Sequence, residues 1–354
     1  MSAVKVEARE ANEGDRQRWD AFVDGLPSAD PLQAWGWGEV ARTGGERPER
    51  ILVVDERGRV RGVVAVLVRE ATAGHRVLYA PHGPAWDALA PDAGPVLDAL
   101  IEAMCRLGRR ERGIVVKLDP RATPSTSAPN LEAALRARGL RQARADLQAS
   151  TTRVLDLRPG AAAVFAGLGK DTRNLVRRAS REGVDTRVVR DADASAYAVF
   201  ASLLATTASR AGFRVRPAAA FDAIAAQYAP RGDAWLILAE LQGRVIAGCL
   251  ALTTGSRAFY MYAASLREPD LRHVNAPYAA LWACIEVLAA DGRETLDLWG
   301  VAEPGDPLAD PGWAGFSLFK RGFGGVALRH PAAFDLVLSP AWYALRDLRE
   351  RLRS

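Results

Sequence analysis

The chain has 354 residues, longer than one hydrophobic core usually organises, so two domains are expected. With 49% hydrophobic and 25% charged residues, the composition is that of an ordinary globular protein rather than a disordered chain, and a net charge of +5 permits an anionic partner without requiring one. Three scattered cysteines and four scattered histidines argue against a disulfide framework, a metal cluster or a conventional nucleophilic triad, so no metal or cofactor is expected.

Neither a signal-peptide core at the start nor a membrane-length apolar run follows, which places the chain in the cytoplasm, with contact at a membrane surface left open. Arginine is abundant, whereas lysine occurs only at Lys5, Lys117, Lys170 and Lys320. Each lysine is therefore slightly more informative than usual.

From the N-terminus, Arg16 to Val23 has helical spacing stopped by Pro27. Trp35 and Trp37 follow, two apart; on a helix they face different ways, which leaves one for a ligand unless both are core. Ile51 to Val54, a turn at Gly58, and Val60 to Val68 read as a hairpin. A third strand, Arg76 to Ala80, runs into the rigid turn Pro81-His82-Gly83-Pro84. An amphipathic helix over Leu97–Cys105 precedes a buried strand, Ile114 to Leu118, that ends at Asp119-Pro120. An acid at a strand end is where open sheets place chemistry, or it simply caps a turn.

The second half repeats this order. A hairpin over Trp235–Leu252, a third strand over Arg257–Ala264, a helix over Ala276–Ala290 and a strand over Leu296–Gly300 match the first half in sequence. Gly58-Arg59-Val60 aligns with Gly243-Arg244-Val245 at an offset of 185, and Arg138-Gly139-Leu140 with Arg321-Gly322-Phe323 at 183. Two offsets so close indicate an internal duplication. Expected domains are 1–150 and 151–338, with 339–354 a C-terminal helix that packs back on the first domain.

Between the halves, the helical stretch around Lys170, Arg173, Arg177, Arg178 and Arg181 carries one basic face, balanced only by Asp171. Either it is a solvated surface or it meets a phosphate backbone or nucleotide. Near the C-terminus, Phe319-Lys320-Arg321-Gly322 sets a lysine before a glycine-rich turn. It reads as a catalytic lysine, or as the basic last turn of a helix capped by Gly322.

The element order of each half is that of a GNAT acyltransferase, giving an α/β (α+β) fold of two tandem GNAT-like domains with mixed sheets flanked by helices. The loop that would cradle coenzyme A pyrophosphate has no match at Arg272 to Pro277 or at Ala90 to Pro95, which implies another acyl donor. Nine segments in order resemble the FemABX family, the aminoacyl-tRNA-dependent transferases of peptidoglycan cross-bridges. They are Gln33–Trp37, Gly83-Pro84 with Asp87, Lys117–Pro120, Arg177–Val184, Thr206–Arg210, Tyr260–Ser265, Asn275–Tyr278, Asp297–Gly300 and Phe319-Lys320. No long heptad run is present, so the chain resembles members without a coiled-coil arm.

The resemblance implies Lys320 as catalytic, with Phe319 beside it, and Asp119 as a proton acceptor. It further implies Trp37, Arg42, Thr206, Arg210, Tyr260 and Tyr262 as substrate-binding, and Lys170, Arg173, Arg177, Arg178 and Arg181 as tRNA-binding. The implied partners are aminoacyl-tRNA as donor and a peptidoglycan precursor, UDP-MurNAc-pentapeptide or lipid II, as acceptor. Two positions depart from the family pattern: Ala41, with Arg42 beside it, replaces a lysine, and Ala220 replaces a tyrosine. Alternatives are an aminoacyl-tRNA-dependent transferase with another amine acceptor, an acyl-coenzyme A N-acyltransferase, and a non-catalytic RNA- or envelope-associated scaffold.

Overall fold

The computed structural model describes residues 5–123, 125–271, 273–303 and 313–351; Arg272 of the unmatched loop and the last three residues of the expected 339–354 helix lie outside them. The chain divides into two compact units, Met1–Ser150 with Arg329–Ser354, and Thr151–Leu328.

In the first unit the elements are β1 (Val6–Glu10), α1 (Arg16–Asp24), α2 (Trp35–Arg42), β2 (Arg47–Asp55), β3 (Val60–Glu70), β4 (Arg76–Ala80), β5 (Ala85–Trp86), α3 (Ala93–Arg110), β6 (Gly113–Leu118), α4 (Ala128–Arg136) and β7 (Arg141–Gln142). The second unit contains β8 (Thr151–Asp156), α5 (Ala161–Gly167), α6 (Lys170–Arg181), β9 (Val184–Val189), α7 (Ala194–Ala211), α8 (Ala218–Tyr228), β10 (Ala234–Leu241), β11 (Arg244–Thr254), β12 (Arg257–Ser265), α9 (Ala276–Ala290), β13 (Thr295–Gly300), α10 (Ala314–Gly322) and β14 (Val326–Arg329). The chain then returns to the first unit with β15 (Phe334–Val337) and α11 (Pro340–Arg351).

Strand order is β1-β2-β3-β4-β6-β15-β7 in the first unit, with β5 beside β3, and β14-β8-β13-β12-β11-β10-β9 in the second. Both sheets are mixed. Each holds a parallel pair, β4 with β6 and β12 with β13, joined through a helix that covers the sheet. Each of those helices turns an apolar face to its sheet: α3 buries Val96, Leu97, Leu100, Met104 and Leu107 on one stripe, and α9 buries Ala280, Leu281, Cys284, Ile285 and Leu288. In the second hairpin, Gln242 and Gly243 both have positive φ, the mirror-image turn whose twist matches the strands it joins.

The parallel pairs set up the functional geometry. β12 pairs with β13 only from Arg257 to Phe259, although β12 stays bonded to β11 as far as Ser265. Beyond Phe259 the two strands diverge, so the last residues of β13 have one neighbouring strand instead of two.

The second unit ends before residue 338, the boundary expected from sequence. Phe334–Val337 pairs antiparallel with Val115–Leu118 of β6, with Phe334 fully buried. A buried ion pair fixes this return: Lys117 Nζ lies 2.7 Å from Asp335 Oδ1, and the Tyr343 hydroxyl of α11 donates to Asp335 Oδ2 at 2.8 Å. Removing one partner strands a charge in the core. Asp335→Ala should therefore lower stability by about 3–5 kcal/mol in urea unfolding, and Lys117→Met with Asp335→Leu should cost far less. Equal losses would show that the pair does not hold the returning segment.

Candidate active site

In the second unit, Lys320 occupies the last turn of α10, where a cation suits the helix carbonyl end. It is 8% exposed, and its Nζ donates to Gly300 O at 2.8 Å. Gly300 closes β13, and the β13–β8 register slips between Asp297 and Gly300. Trp299 sits inside that slip with φ of 64°, a conformation that strains a bulky residue. The buried Asp297 holds the kink: Oδ1 accepts the Trp299 amide at 2.7 Å and Oδ2 accepts the Thr152 hydroxyl at 3.1 Å.

Burial pushes the Lys320 ammonium down to about 8, and Asp297 works against that shift. Four further contacts hold α10 and the segments after β13 and α10 together. Ser317 Oγ accepts Ala302 N at 2.8 Å, Arg321 donates to Ala302 O at 2.8 Å, and Arg153 joins Glu303 at 2.6 Å while donating to Gly324 O at 2.6 Å. Phe319 forms an aromatic wall with Tyr278 at 4.9 Å and Phe323 at 5.3 Å, while Phe316 places its ring 4.9 Å from Lys320 Nζ.

Gly322 does not cap α10. It is the last helical residue, and a Cβ there would meet Thr172 Oγ1 of α6 at 2.5 Å; the left-handed turn falls to Gly324, with φ of 84°. Gly139 has φ of 79° after α4, so Gly139 and Gly324 are the corresponding turns, at the same offset of 185 as Gly58 and Gly243. The alignment of Arg138-Gly139 with Arg321-Gly322 is corrected by two residues. Lys320 then stands over Leu135, which is fully buried, rather than over Ala137. An ionisable group occupies a core position of the repeat.

In the first unit, Asp119 lies just beyond β6 and is 7% exposed. The Tyr79 hydroxyl donates to its Oδ2 at 2.7 Å and the His82 amide to its Oδ1 at 2.6 Å. Burial raises its carboxyl to about 6, against the opposing influence of His82, the Tyr79 bond and Arg121. His82 itself has φ of 53°, and its Nδ1 lies 2.8 Å from Asp30 Oδ2, with Arg121 Nε at 3.7 Å from the same oxygen. Burial would raise the Asp30 carboxyl, but His82 and Arg121 outweigh it and hold Asp30 below its ordinary value. This charged cluster was not read from sequence, because Asp30, His82 and Arg121 are far apart in the chain and only the positive-φ turn brings them together.

The remaining predicted residues separate into surface and core. Trp35 and Trp37 are both buried; Trp35 stands edge-on to Trp19 at 5.6 Å under the Arg50 guanidinium, so neither ring is presented to solvent. Arg42 is paired with Glu39 at 3.0 Å. Arg210 donates to Ser265 O at 3.0 Å, at the end of β12, and Thr206 bonds back to Ser202 O at 3.1 Å within α7. Tyr260 and Tyr262 should share a face by strand alternation, but the β11–β12 register slips between their partners, Ala251 and Leu250. Tyr260 is consequently 6% exposed in the core with Cys249 and Cys284, whereas Tyr262 lies edge-on to Phe221 of α8 at 5.2 Å.

On α6, Lys170, Arg177, Arg178 and Arg181 are exposed, with Arg178 paired to Glu182 at 3.3 Å. Arg173 instead turns inward to the Ala166 carbonyl at 2.9 Å. No group of three or more metal-ligating side chains occurs among the described residues. Nor is any described helix long and apolar enough to cross a membrane.

Residues 169–306 match the family model "Acetyltransferase (GNAT) domain". The chain is 25% identical over 293 residues, 80% of its length and 84% of the relative's, to the UDP-N-acetylmuramoylpentapeptide-lysine N(6)-alanyltransferase of Weissella viridescens. It is 26% identical to the lipid II:glycine glycyltransferase of Staphylococcus saprophyticus over 65% of this chain and 55% of that one. The crystal structure of FemX superposes with a TM-score of 0.82 at 20% identity, covering 96% of this chain and 99% of FemX. The chain is a homologue of the FemABX transferases. A tandem GNAT protein of clavulanic acid biosynthesis shares the fold more distantly, with a TM-score of 0.57 at 14% identity over 95% of this chain and 99% of that one. At the level these likenesses carry, this FemABX homologue is an acyltransferase on a double GNAT fold.

A lysine with a lowered folded-state pKa weakens the fold wherever the unfolded chain would hold the proton more tightly. The stability contribution of Lys320 is complete only above its ordinary value of 10.5 and is lost as pH falls through about 8. Lys320→Leu, which restores the residue type found at position 135, should be at least as stable as the parent at pH 7 in urea unfolding. Its relative advantage should shrink as pH rises from 8 to 10. A large loss at pH 7 would make Lys320 a structural tie.

Proposed function

We propose that the protein transfers an aminoacyl group from aminoacyl-tRNA to an amine on the peptide stem of a peptidoglycan precursor. The observation that carries this reading is the buried Lys320 ammonium at the diverging end of β13, a preorganised positive charge beside an aromatic wall. The named relatives act on UDP-MurNAc-pentapeptide-lysine and on lipid II, which supports the acceptor class.

In the reaction, the neutral acceptor amine attacks the ester carbonyl carbon, forming a C–N bond and an oxyanion. Collapse breaks the ester C–O bond, and the ribose oxygen leaves with a proton. Lys320 hydrogen-bonds the developing negative charge from a site where water does not screen it, a contribution of about 2.7–4 kcal/mol for one such donor. Asp119 is assigned the proton released by the attacking amine. Its raised carboxyl is an anion at neutral pH but a stronger base than an exposed one. Arg210 and Tyr262 are assigned to the acceptor, and the exposed cations of α6 to the tRNA backbone.

A coenzyme A donor is less well served at α9. Asn275, the residue before the helix, has φ of 60° and uses its side chain on His273 O at 2.6 Å, and Pro277 in the first turn has no N–H to offer a pyrophosphate.

Incubation with charged tRNA and either UDP-MurNAc-pentapeptide or lipid II should yield a product heavier by one amino-acid residue. Absence of product across all aminoacyl donors with both acceptors would remove the reading. Lys320→Met should reduce kcat by about 100- to 1000-fold with its fold intact by circular dichroism. The pH–rate profile should be bell-shaped, rising through about 6 as Asp119 ionises and falling through about 8 as Lys320 loses its proton. Asp119→Asn should flatten the acid limb, and residual activity of Lys320→Met should lack the falling limb near 8.

A further inference from the structure

In the first unit, Asp30, His82, Arg121 and Asp119 are all buried in one network, of which the reaction as written uses Asp119 alone. As two carboxylates, a guanidinium and an imidazolium they carry no net charge, the state in which burying them costs least. The network is built on the turn after β4. His82 stands there with φ of 53°, a left-handed conformation uncommon outside glycine. Side chains hold it on both sides. Gln33 Nε2 donates to Pro81 O at 2.7 Å, and the His82 imidazole Nδ1 lies 2.8 Å from Asp30 Oδ2. Asp30 is fixed in turn, since its Oδ1 accepts Leu32 N at 2.9 Å and Arg121 Nε lies 3.7 Å from its Oδ2. The consequence reaches Asp119. With the turn in this conformation, the His82 amide donates to Asp119 Oδ1 at 2.6 Å, while the Tyr79 hydroxyl donates to Oδ2 at 2.7 Å.

We propose that His82 is a positioning residue for Asp119: locked by Asp30, its ring fixes the left-handed turn that aims the backbone amide at the carboxylate and sets a positive charge beside it. This rests on the reading of Asp119 as the proton acceptor and adds the group that orients it. The ionisable groups around the pair are Asp30 and Arg121 on the His82 side and Tyr79 on the Asp119 side. Among the influences that oppose burial at Asp119, His82 is the largest, ahead of the Tyr79 bond and Arg121. A carboxylate held by two donors beside a cation stays an anion in one orientation, which is what a base needs before the amine arrives.

The test uses the full chain with His82→Asn and His82→Gly, since both residues accept the left-handed turn and so keep the amide while removing the imidazole. In the pH–rate profile of aminoacyl transfer, the acid limb should rise from about 6 to about 7, so that the rate falls about fivefold at pH 6 and hardly at all at pH 8. A purely structural role would lower the rate by one factor at every pH. A second measurement needs no turnover. The chain has only four histidines, so the ring signals can be followed by NMR, with His82 assigned by its loss in His82→Asn. Asp119→Asn should lower the His82 titration midpoint by about as much as His82→Asn raises the acid limb, because the coupling is reciprocal. If the unchanged protein shows no acid limb near 6, or Asp119→Asn keeps it, the reading of Asp119 as proton acceptor falls and the positioning role with it. If that limb is present but both His82 variants lose activity equally at every pH, or Asp119→Asn leaves the His82 midpoint unmoved, the positioning role alone is overturned.

Discussion

The hydrogen bond from Lys320 Nζ to Gly300 O is the contact around which α10 and the end of β13 are arranged. Desolvating an ammonium is costly, and one carbonyl at 2.8 Å does not replace its hydration shell. The protein supplies the rest indirectly. Asp297 is buried close enough to favour the charged lysine, but its carboxylate is committed to the Trp299 amide and the Thr152 hydroxyl rather than to Nζ. The ammonium is thus kept charged without being neutralised by a direct ion pair, which leaves donor capacity for a second oxygen. A direct carboxylate partner would stabilise the fold more and leave less field for an oxyanion.

The duplication makes the same point by comparison. Helices α4 and α10 occupy the same place in their units, each closed by a left-handed glycine, Gly139 and Gly324. In one, the inward position is Leu135, which contributes to a core; in the other it is Lys320, which withdraws from one. The first unit also gathers buried polar groups near the ends of its parallel strands β4 and β6, with Asp119, His82, Asp30 and Arg121. Both units place polar groups where a parallel pair ends and the strand's backbone is no longer fully bonded, the position where open mixed sheets tolerate ligands.

The fold was legible from apolar periodicity and glycine positions, because alternating strands, the apolar stripes of α3 and α9, and the Gly58 and Gly243 turns are local signals. Lys320 and Phe319 were legible as candidates because lysine is scarce and the segment breaks the repeat. What was not legible was register and packing. One bulge sets Tyr260 and Tyr262 on opposite faces, which no local signal announces, and of the two readings open for Trp35 and Trp37 the packing of Trp19 and Arg50 on Trp35 selects the core. Arg173 looked identical to its neighbours on the basic helix until the carbonyls of Ala166 and Leu168 were found beneath it. The second boundary missed because β15 is only four residues long, and its destination is decided by Lys117, 218 positions away.

The two departures from the family pattern acquire a physical meaning from burial. Ala41 and Ala220 are each fully inaccessible, Ala41 on the inner face of α2 and Ala220 in the first turn of α8, next to Phe221 in sequence. Neither position has become a smaller contact with substrate; each is closed. A lysine at 41 would need room among Trp35, Trp37 and Val40, and a tyrosine at 220 would displace the helix that supports the Tyr262 ring. Arg42, the nearest cation to position 41, is engaged by Glu39 and half-exposed, so it is a weak substitute. Among the residues assigned to the acceptor, the polar contacts therefore concentrate on Arg210 at the end of β12 and on Tyr262, whose hydroxyl is buried beside Arg216. An acceptor held as proposed by Arg210 and Tyr262 would be read mainly by its negative charge, and selection among such acceptors would rest on how the amine reaches the ester.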